Sequence, residues 1–138
     1  MKRDPRLLGL SSQHHRALVL ARALAQEPLD WSSEKGIAFG ARFDAELEPH
    51  FLIEDEVLLP ALRRAGATLL AERTETDHAF LRATMLAARN GEGMAARAFG
   101  ERLGDHVRFE ERELFPACEA TLSDDVLDEV ARRAPKES

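Results

Sequence analysis

Two segments of the sequence repeat the pattern His-x3-Glu-x3-Leu-x-Pro, as HFLIEDEVLLP at 50–60 and HVRFEERELFP at 106–116. In a helix, side chains four residues apart lie on the same face, with their Cβ atoms about 5–6 Å apart. Each copy therefore places one imidazole beside one carboxylate, His50 beside Glu54 and His106 beside Glu110. Two such pairs facing each other across a bundle would surround one point with donors suited to one or two metal ions.

The other three of the five histidines, His14, His15 and His78, fall on the two remaining long helical patterns. A single histidine, or a single His-x3-Glu pair, is weak support for a metal site because both occur often on ordinary helices. Here every long helix carries a histidine, and mid-helix residues of an up-down bundle meet at the same level. Burial of four imidazoles and two carboxylates is costly unless a metal cluster satisfies them. The spacing therefore predicts that these side chains converge.

Capping residues and loop signals divide the chain into helices that can position this site. The predicted helices cover residues 11–25, 33–64, 68–90, about 94–121, and about 123–134. The N-cap candidates are Ser11 and Ser12, Ser32 and Ser33, and Ser123. Gly66 is a C-cap candidate, NGEG at 90–93 is the strongest loop signal, and the first and last helices end before Pro28 and Pro135.

No period-two strand pattern occurs, so the predicted fold class is all-α, an up-down antiparallel four-helix bundle with a short fifth C-terminal helix. One domain is expected over 1–138, with the bundle over about 11–121 and the short helix or tail over 123–138. Pro49, Pro60 and Pro116 fall inside helical patterns. Each removes a backbone donor and crowds the carbonyl four residues earlier, so we expect a bend at each, or a fresh start near Pro49.

Composition and charge exclude several classes of protein. The chain has 138 residues, of which 32% are charged and 44% hydrophobic, which is typical of one soluble helical domain. A net charge of −6 without a basic stripe argues against nucleic-acid and anionic-membrane partners. The absence of a long apolar run or signal peptide predicts a cytoplasmic location. Cys118 stands alone and is expected in the core, and the sequence leaves the oligomeric state open.

The two motifs, the terminal prolines and the distribution of histidines resemble the hemerythrin-like domains, also called HHE cation-binding domains. The resemblance covers about Leu10 to Pro116. It implies a cluster of two iron ions with an oxo or hydroxo bridge, in which Glu54 and Glu110 bridge the ions. His50, His106 and His78 would be terminal ligands. Imidazole and carboxylate donors without thiolates also suit manganese and zinc, but bridging carboxylates with open positions favour iron.

The resemblance leaves the ligand on the first helix open between two adjacent histidines. The segment His15-x2-Leu18 resembles the family's His-x2-Leu and favours His15, while His14 lies about 100° further round the helix. On the third helix, oxygen-carrying hemerythrins have two histidines four residues apart, but this chain has Thr74 and Arg82 around His78. Water, an exogenous ligand, or a side chain such as His14 or Glu75 would fill the open positions, although we expect Glu75 to be solvated.

By resemblance, the protein binds or senses O2, peroxide or nitric oxide. The alternatives are an enzyme that consumes peroxide or handles nitric oxide and iron, and a structural bundle whose metal only fixes the fold. Four apolar residues near the motifs are candidates to surround the cluster: Phe51, Phe80, Phe109 and Leu58. Four acidic residues within the motifs are expected to be surface charges, because helical spacing directs them away from the His/Glu face: Asp55, Glu56, Glu111 and Glu113.

Overall fold

The computed structural model describes residues 2–26 and 30–134, and within these ranges it is built from helices and contains no strand. The helices are α1 (Leu8–Ala25), α2 (residues 33–64), α3 (Thr68–Arg89), α4 (residues 93–121) and α5 (Asp124–Arg133). Helices α1 to α4 form the up-down antiparallel bundle that the sequence predicts, and α5 is the short fifth helix. Among the described residues, no helix is both long and apolar enough to cross a bilayer.

The start of α1 differs from the prediction. Ser11 and Ser12 are not N-caps, because the helix begins at Leu8 after a 3-10 turn at Pro5–Leu7. The Asp4 side chain caps that turn by accepting a hydrogen bond from the Arg6 amide at 2.8 Å. Aspartate followed by proline is a favourable helix start, since proline at the first helical position needs no backbone donor.

The other helix ends agree with the prediction where the structure describes them. The Ser32 and Ser123 hydroxyls accept hydrogen bonds from Lys35 and Val126, at 3.1 and 3.3 Å, and so cap α2 and α5. Gly66 has a positive φ of 86° after α2, a conformation that glycine adopts without the cost a side chain would add. Pro28 and Pro135 lie outside the described residues.

Each of the three helix-interior prolines follows a five-residue π-helical turn. These turns are Phe43–Leu47 before Pro49, Glu54–Leu58 before Pro60, and Glu110–Leu114 before Pro116. Glu48, Leu59 and Phe115 each donate their amide to the carbonyl five residues back. The wider turn lets the helix continue through a residue that has no N–H and would crowd the carbonyl four back. The fresh start expected as an alternative near Pro49 does not occur.

The core has two apolar clusters, one on each side of a buried polar layer. The first lies toward the C-terminal end of α1 and the loop between α3 and α4, and it includes Leu24, Phe39, Phe43, Met85, Phe99 and Leu103. The second includes Leu7, Leu58, Phe115 and Cys118 and is closed by Leu127 and Val130 of α5. Cys118 is fully buried among these side chains, as expected, and burial raises the pKa of its thiol to about 12. The polar layer between the clusters contains the histidines.

Gly36 is expected to permit the close contact between the backbones of α2 and the end of α3. A Cβ built on Gly36 would collide with the backbone carbonyl oxygen of Ala88 and lie 2.7 Å from that of Arg89, neither of which can move alone. Gly36→Ala should therefore lower the free energy of unfolding by about 1–3 kcal/mol in urea unfolding. Gly40→Ala is the matched control, because its Cβ meets only the flexible Arg89 side chain, and it should stay within about 1 kcal/mol. Equal effects of the two changes would contradict this account.

Candidate metal centre

Six polar residues from the four bundle helices converge in the layer between the apolar clusters. They are His14 on α1, His50 and Glu54 on α2, His78 on α3, and His106 and Glu110 on α4. Both glutamates have no exposed surface, and each histidine is at most 5% exposed. We call these six residues the cluster. Four of the helices thus supply one histidine each to a site closed from solvent on most sides.

Within the cluster, the Nε2 atom of each imidazole faces a glutamate. His50 Nε2 and His78 Nε2 each lie 3.0 Å from a different oxygen of Glu54. His14 Nε2 lies 2.8 Å from one oxygen of Glu110, and His106 Nε2 lies 3.1 Å from the other. Each carboxylate therefore extends between one histidine on its own helix and one on another helix.

These atoms form two groups that could each hold a cation. The first consists of donor atoms of His14, His50, Glu54 and Glu110, and the second of donor atoms of Glu54, His78, His106 and Glu110. In each group the donor atoms lie within 4.8 Å of one another. The two groups share both glutamates. This is the arrangement in which two carboxylates can bridge two neighbouring cations.

The Nδ1 atom of every cluster histidine points outward to a second acceptor. His50 Nδ1 lies 2.6 Å from Gln13 Oε1, and His106 Nδ1 lies 2.8 Å from Asp77 Oδ2. His14 Nδ1 lies 2.6 Å from Glu111 Oε2, and His78 Nδ1 lies 2.7 Å from Asp55 Oδ1. These four acceptors are called the outer partners. An acceptor at Nδ1 fixes the ring orientation and keeps the Nε2 lone pair for a cation, which is the usual support of a metal-bound histidine.

The cluster and its outer partners follow an approximate internal two-fold arrangement. Exchanging α1 with α3, and α2 with α4, maps the Gln13–His14 pair onto Asp77–His78. The same exchange maps Glu54–Asp55 onto Glu110–Glu111. In each half, the acidic residue after the shared glutamate supports a histidine of the facing helix. The repeat in the sequence thus extends to the outer partners Asp55 and Glu111 and is not limited to the two His/Glu pairs.

The cluster fits a bound cation on the chemistry of its own atoms. Among residues 2–26 and 30–134, His106 Nε2 and Glu110 Oε2 are buried side-chain atoms without a hydrogen-bond partner. They lie 3.1 Å apart but are not aligned to bond each other. With Nδ1–H directed outward, each Nε2 and the oxygen that it faces are both acceptors, so a proton or a metal ion must lie between them.

The pKa values of the cluster residues also support a positive charge between the imidazoles and the carboxylates. Burial alone would lower the pKa of His50 and His106, but Glu54 and Glu110 outweigh it and raise the pKa of each to about 10. Burial would raise the pKa of Glu110, but the surrounding imidazoles, His106 above all, lower it well below its usual value. Without metal, protons therefore take the places of cations between these residues.

The preference for His15 over His14 is not supported by the structure. His15 is exposed on the outer face of α1, whereas His14 is 5% exposed and contacts both Glu110 and Glu111. The buried stripe of α1 explains the difference: Leu10, His14, Ala17, Ala21 and Leu24 are buried at alternating spacings of four and three residues, so position 14 falls on the buried face. Position 15 does not. The assignment of His14 as a ligand, like that of the other five residues, remains a prediction.

Two of the four residues expected to be surface charges are instead outer partners. Asp55 and Glu111 reach back to His78 and His14, while Glu56 and Glu113 are exposed as expected. Gln13 and Asp77 were not singled out from the sequence, although each immediately precedes a cluster histidine. Both motif copies have an acidic residue directly after the glutamate. This common feature of the sequence could have identified Asp55 and Glu111 as outer partners.

Three residues of α3 near His78 lie outside the cluster: Thr74, Glu75 and Arg82. The buried Thr74 hydroxyl donates to the Leu70 carbonyl at 2.9 Å, and Arg82 pairs with Glu48 and with Asp55 at 2.9 Å. Glu75 is an exposed residue paired with Arg63, in agreement with its expected solvation. No second histidine from α3 therefore joins the cluster.

Aromatic rings close parts of the cluster, but not all the expected ones do. Phe51 stacks on His78 at 4.3 Å between ring centroids, and Phe109 lies 6.1 Å from His106. Phe80 lies under the Arg102 guanidinium at 4.0 Å, while Leu58 packs in the second apolar cluster. Phe115, which was not predicted to lie near the site, stacks on His14 at 5.4 Å between ring centroids.

A cavity of about 180 Å³ extends from the cluster to the surface between α1, α2 and α4. At its inner end lie His14, His50, His106 and Glu110. Its walls are mostly apolar, from Ala17, Leu20, Leu47, Leu103 and Val107. It can therefore admit a molecule of a few atoms to the side of the cluster formed by His14 and His50.

Comparison with known protein families matches residues 9–118 to the Hemerythrin HHE cation binding domain, which is well over half of the chain. The chain belongs to this family. The resemblance drawn from the two motifs is thereby confirmed, and as a hemerythrin HHE domain the protein is a metal-binding protein with buried His/Glu groups that can hold the metal. Comparisons with curated proteins and with solved structures gave no match.

Weakening an outer partner of this HHE domain should weaken metal binding. Asp77→Asn keeps the shape of the acceptor but removes the charge beside His106 Nδ1, and we expect the affinity for Mn²⁺ or Co²⁺ to fall about 10–100-fold. Competition with a chelator would measure it. Asp105→Asn is the matched control, since Asp105 is exposed next to His106 in sequence. Equal affinities of the two variants would show that the outer partner is irrelevant to binding.

Metal binding by this HHE domain should also release protons. Because the pKa values of His50 and His106 are raised to about 10 in the metal-free protein, their imidazoles are protonated at neutral pH. The metal-free state then binds more protons than the loaded state, so the apparent affinity rises with pH and levels off above about pH 10. Titration calorimetry in two buffers of different ionisation enthalpy would count the protons. Binding without proton release would contradict the assignment.

Proposed function

We propose that this HHE domain binds two iron ions at the cluster and uses them to bind or sense O2 or a related small oxidant. One ion would be held by His14 and His50 and the other by His78 and His106, with Glu54 and Glu110 shared between them. The observation that carries this proposal is the cavity, because it joins the surface to the His14–His50 side of the cluster. A metal that served only the fold would need no such route.

The composition of the site supports iron as the metal. Imidazole and carboxylate donors without a thiolate suit a redox-active pair, and α3 supplies only His78 to the cluster, which leaves room in the coordination of the ions. The ions, when bound, would supply the electrons for reversible binding or reduction of an oxidant.

The protein's own residues would prepare the site for that chemistry. The outer partners hold all four imidazoles in one orientation, so the ligand nitrogens are fixed before the metal arrives. Leu20, Leu47 and Leu103 give the cavity an apolar wall, which limits the entry of bulk water and leaves room for small molecules.

Elemental analysis combined with visible absorption spectroscopy tests the proposal. Protein from iron-supplemented cells should contain about two irons per chain and show ligand-to-metal charge-transfer bands that shift with azide. Bands that return after the oxidant is removed would favour binding or sensing, whereas steady loss of added hydrogen peroxide would favour an enzyme. Stoichiometric zinc, or a spectrum indifferent to azide and peroxide, would contradict the proposal and leave a structural role for the metal.

A further inference from the structure

The solvent end of the cavity carries three charged side chains. Arg16 lies on α1, and Arg42 and Glu46 lie on α2, with side-chain exposures of 68%, 40% and 35%. The Glu46 carboxylate pairs with both arginines, at 3.1 Å from Arg42 Nε and 3.5 Å from Arg16 Nη1. These three residues form the mouth of the cavity, whereas His14 and His50 lie at its inner end.

The charges at the mouth do not cancel. Two guanidinium groups face one carboxylate, so the mouth has one excess positive charge, while the whole chain has a net charge of −6. Any attraction of an anion to the cavity is therefore local and does not come from the overall field. Glu46 belongs to the π turn Phe43–Leu47, which also supplies Ala45 and Leu47 to the cavity wall.

We propose that this cavity admits small inorganic anions in preference to uncharged molecules of similar size, that Arg16 and Arg42 set this preference, and that Glu46 moderates it. This inference rests on the proposed function, since the anion must reach a bound metal to be held. It adds small anions to the expected ligands, as molecules that would reach a bound metal faster than uncharged molecules of the same size.

The preference should act on the rate of association. Charges that are partly exposed at the opening of a narrow apolar channel raise the local concentration of oppositely charged ligands, and salt screens the effect over about 8–10 Å. A change in the width of the mouth would instead alter the rates of charged and uncharged ligands together. A change in the association rate of the anion alone therefore indicates electrostatic selection, whereas an equal change for the anion and the uncharged ligand indicates a change in the width of the mouth.

Stopped-flow absorption of the iron-loaded, oxidised protein tests this, with azide as the anion and hydrogen peroxide as the uncharged ligand at neutral pH. The variants are Arg16→Gln, Arg42→Gln and Glu46→Gln. Each arginine variant should slow azide association by about two- to fivefold at low salt, and Glu46→Gln should speed it by a similar factor. Peroxide association should change by less than about 1.5-fold in all three, and the azide effects should shrink at high salt.

Arg108→Gln is the matched control, because Arg108 is an arginine of α4 that does not line the cavity. It should leave azide association unchanged. Parallel changes for azide and peroxide, or an equal effect of Arg108→Gln, would overturn the inference and leave the proposed function intact. Iron-loaded wild-type protein whose spectrum responds to neither ligand would overturn the proposed function itself, and this inference with it.

Discussion

His14→Ala is expected to remove one metal ion from the protein, while His15→Ala retains both. His14 Nε2 lies 2.8 Å from Glu110 within the first group of donors, and its ring is held by Glu111 and stacked on Phe115. Loss of a direct ligand should weaken binding at that position by more than about 100-fold, beyond the effect expected for an outer partner. Metal content after dialysis against a weak chelator would fall from about two ions to about one.

The adjacent histidine makes this a sharp comparison. His15 is exposed, so His15→Ala changes the same residue type on the same helix turn without touching the cluster. Circular dichroism of both metal-free variants checks that the bundle is intact. If His15→Ala lost metal and His14→Ala did not, α1 would be rotated by about 100° from its placement in the structure, and the ligand assignment on α1 would be wrong.

Glu110→Gln is expected to abolish binding of both ions. Glu110 belongs to both groups of donors, lies within 3.1 Å of His14 and His106, and has no exposed surface. An amide cannot neutralise two cations, so metal content should fall to near zero at micromolar metal. The change also leaves buried imidazolium groups without their partner, which should cost the metal-free protein about 3–5 kcal/mol of stability. Chelator titration and urea unfolding would measure the two effects.

Glu113→Gln is the control for this change, because Glu113 is exposed and lies outside the cluster on the same π turn. It should keep full metal content and change the free energy of unfolding by less than about 0.5 kcal/mol. A Glu110→Gln protein that still bound two ions tightly would mean that this carboxylate does not bridge them.

Most of the fold followed from local rules that the sequence states directly. Serine caps, glycine at the ends of α2 and α3, and the NGEG loop fix where four of the five helices begin or end. The start of α1 is predicted too late, because the N-cap signal was taken from Ser11 and Ser12 and not from Asp4, which is followed by proline. The positions of His50 and His106 one turn before Glu54 and Glu110 needed only helical spacing.

The parts of the site that were missed depend on contacts between helices. Whether His14 or His15 faces inward depends on the rotation of α1, which the buried stripe from Leu10 to Leu24 decides. The side chains of Asp55 and Glu111 do not contact the histidine on their own helix. Each meets an imidazole of a neighbouring helix instead, His78 for Asp55 and His14 for Glu111. Spacing along one helix therefore assigned them to the surface.

The π turns and the cavity could not be predicted from the sequence either. The prolines indicated where the helices must deviate, but the five-residue turns beginning at Glu54 and Glu110 depend on how each helix closes its hydrogen bonds around proline. The cavity exists because side chains from α1, α2 and α4 fail to fill one space, which no single segment encodes.

Anomalous diffraction at the iron absorption edge, from crystals of protein purified from iron-supplemented cells, tests the central claim most directly. The account predicts two iron peaks between the apolar clusters, one bound by Nε2 of His14 and His50 and one by Nε2 of His78 and His106. Both peaks should be bridged by Glu54 and Glu110, and His15 should remain in solvent. A single peak, or iron bound elsewhere with these six side chains bonded only to one another, would contradict it.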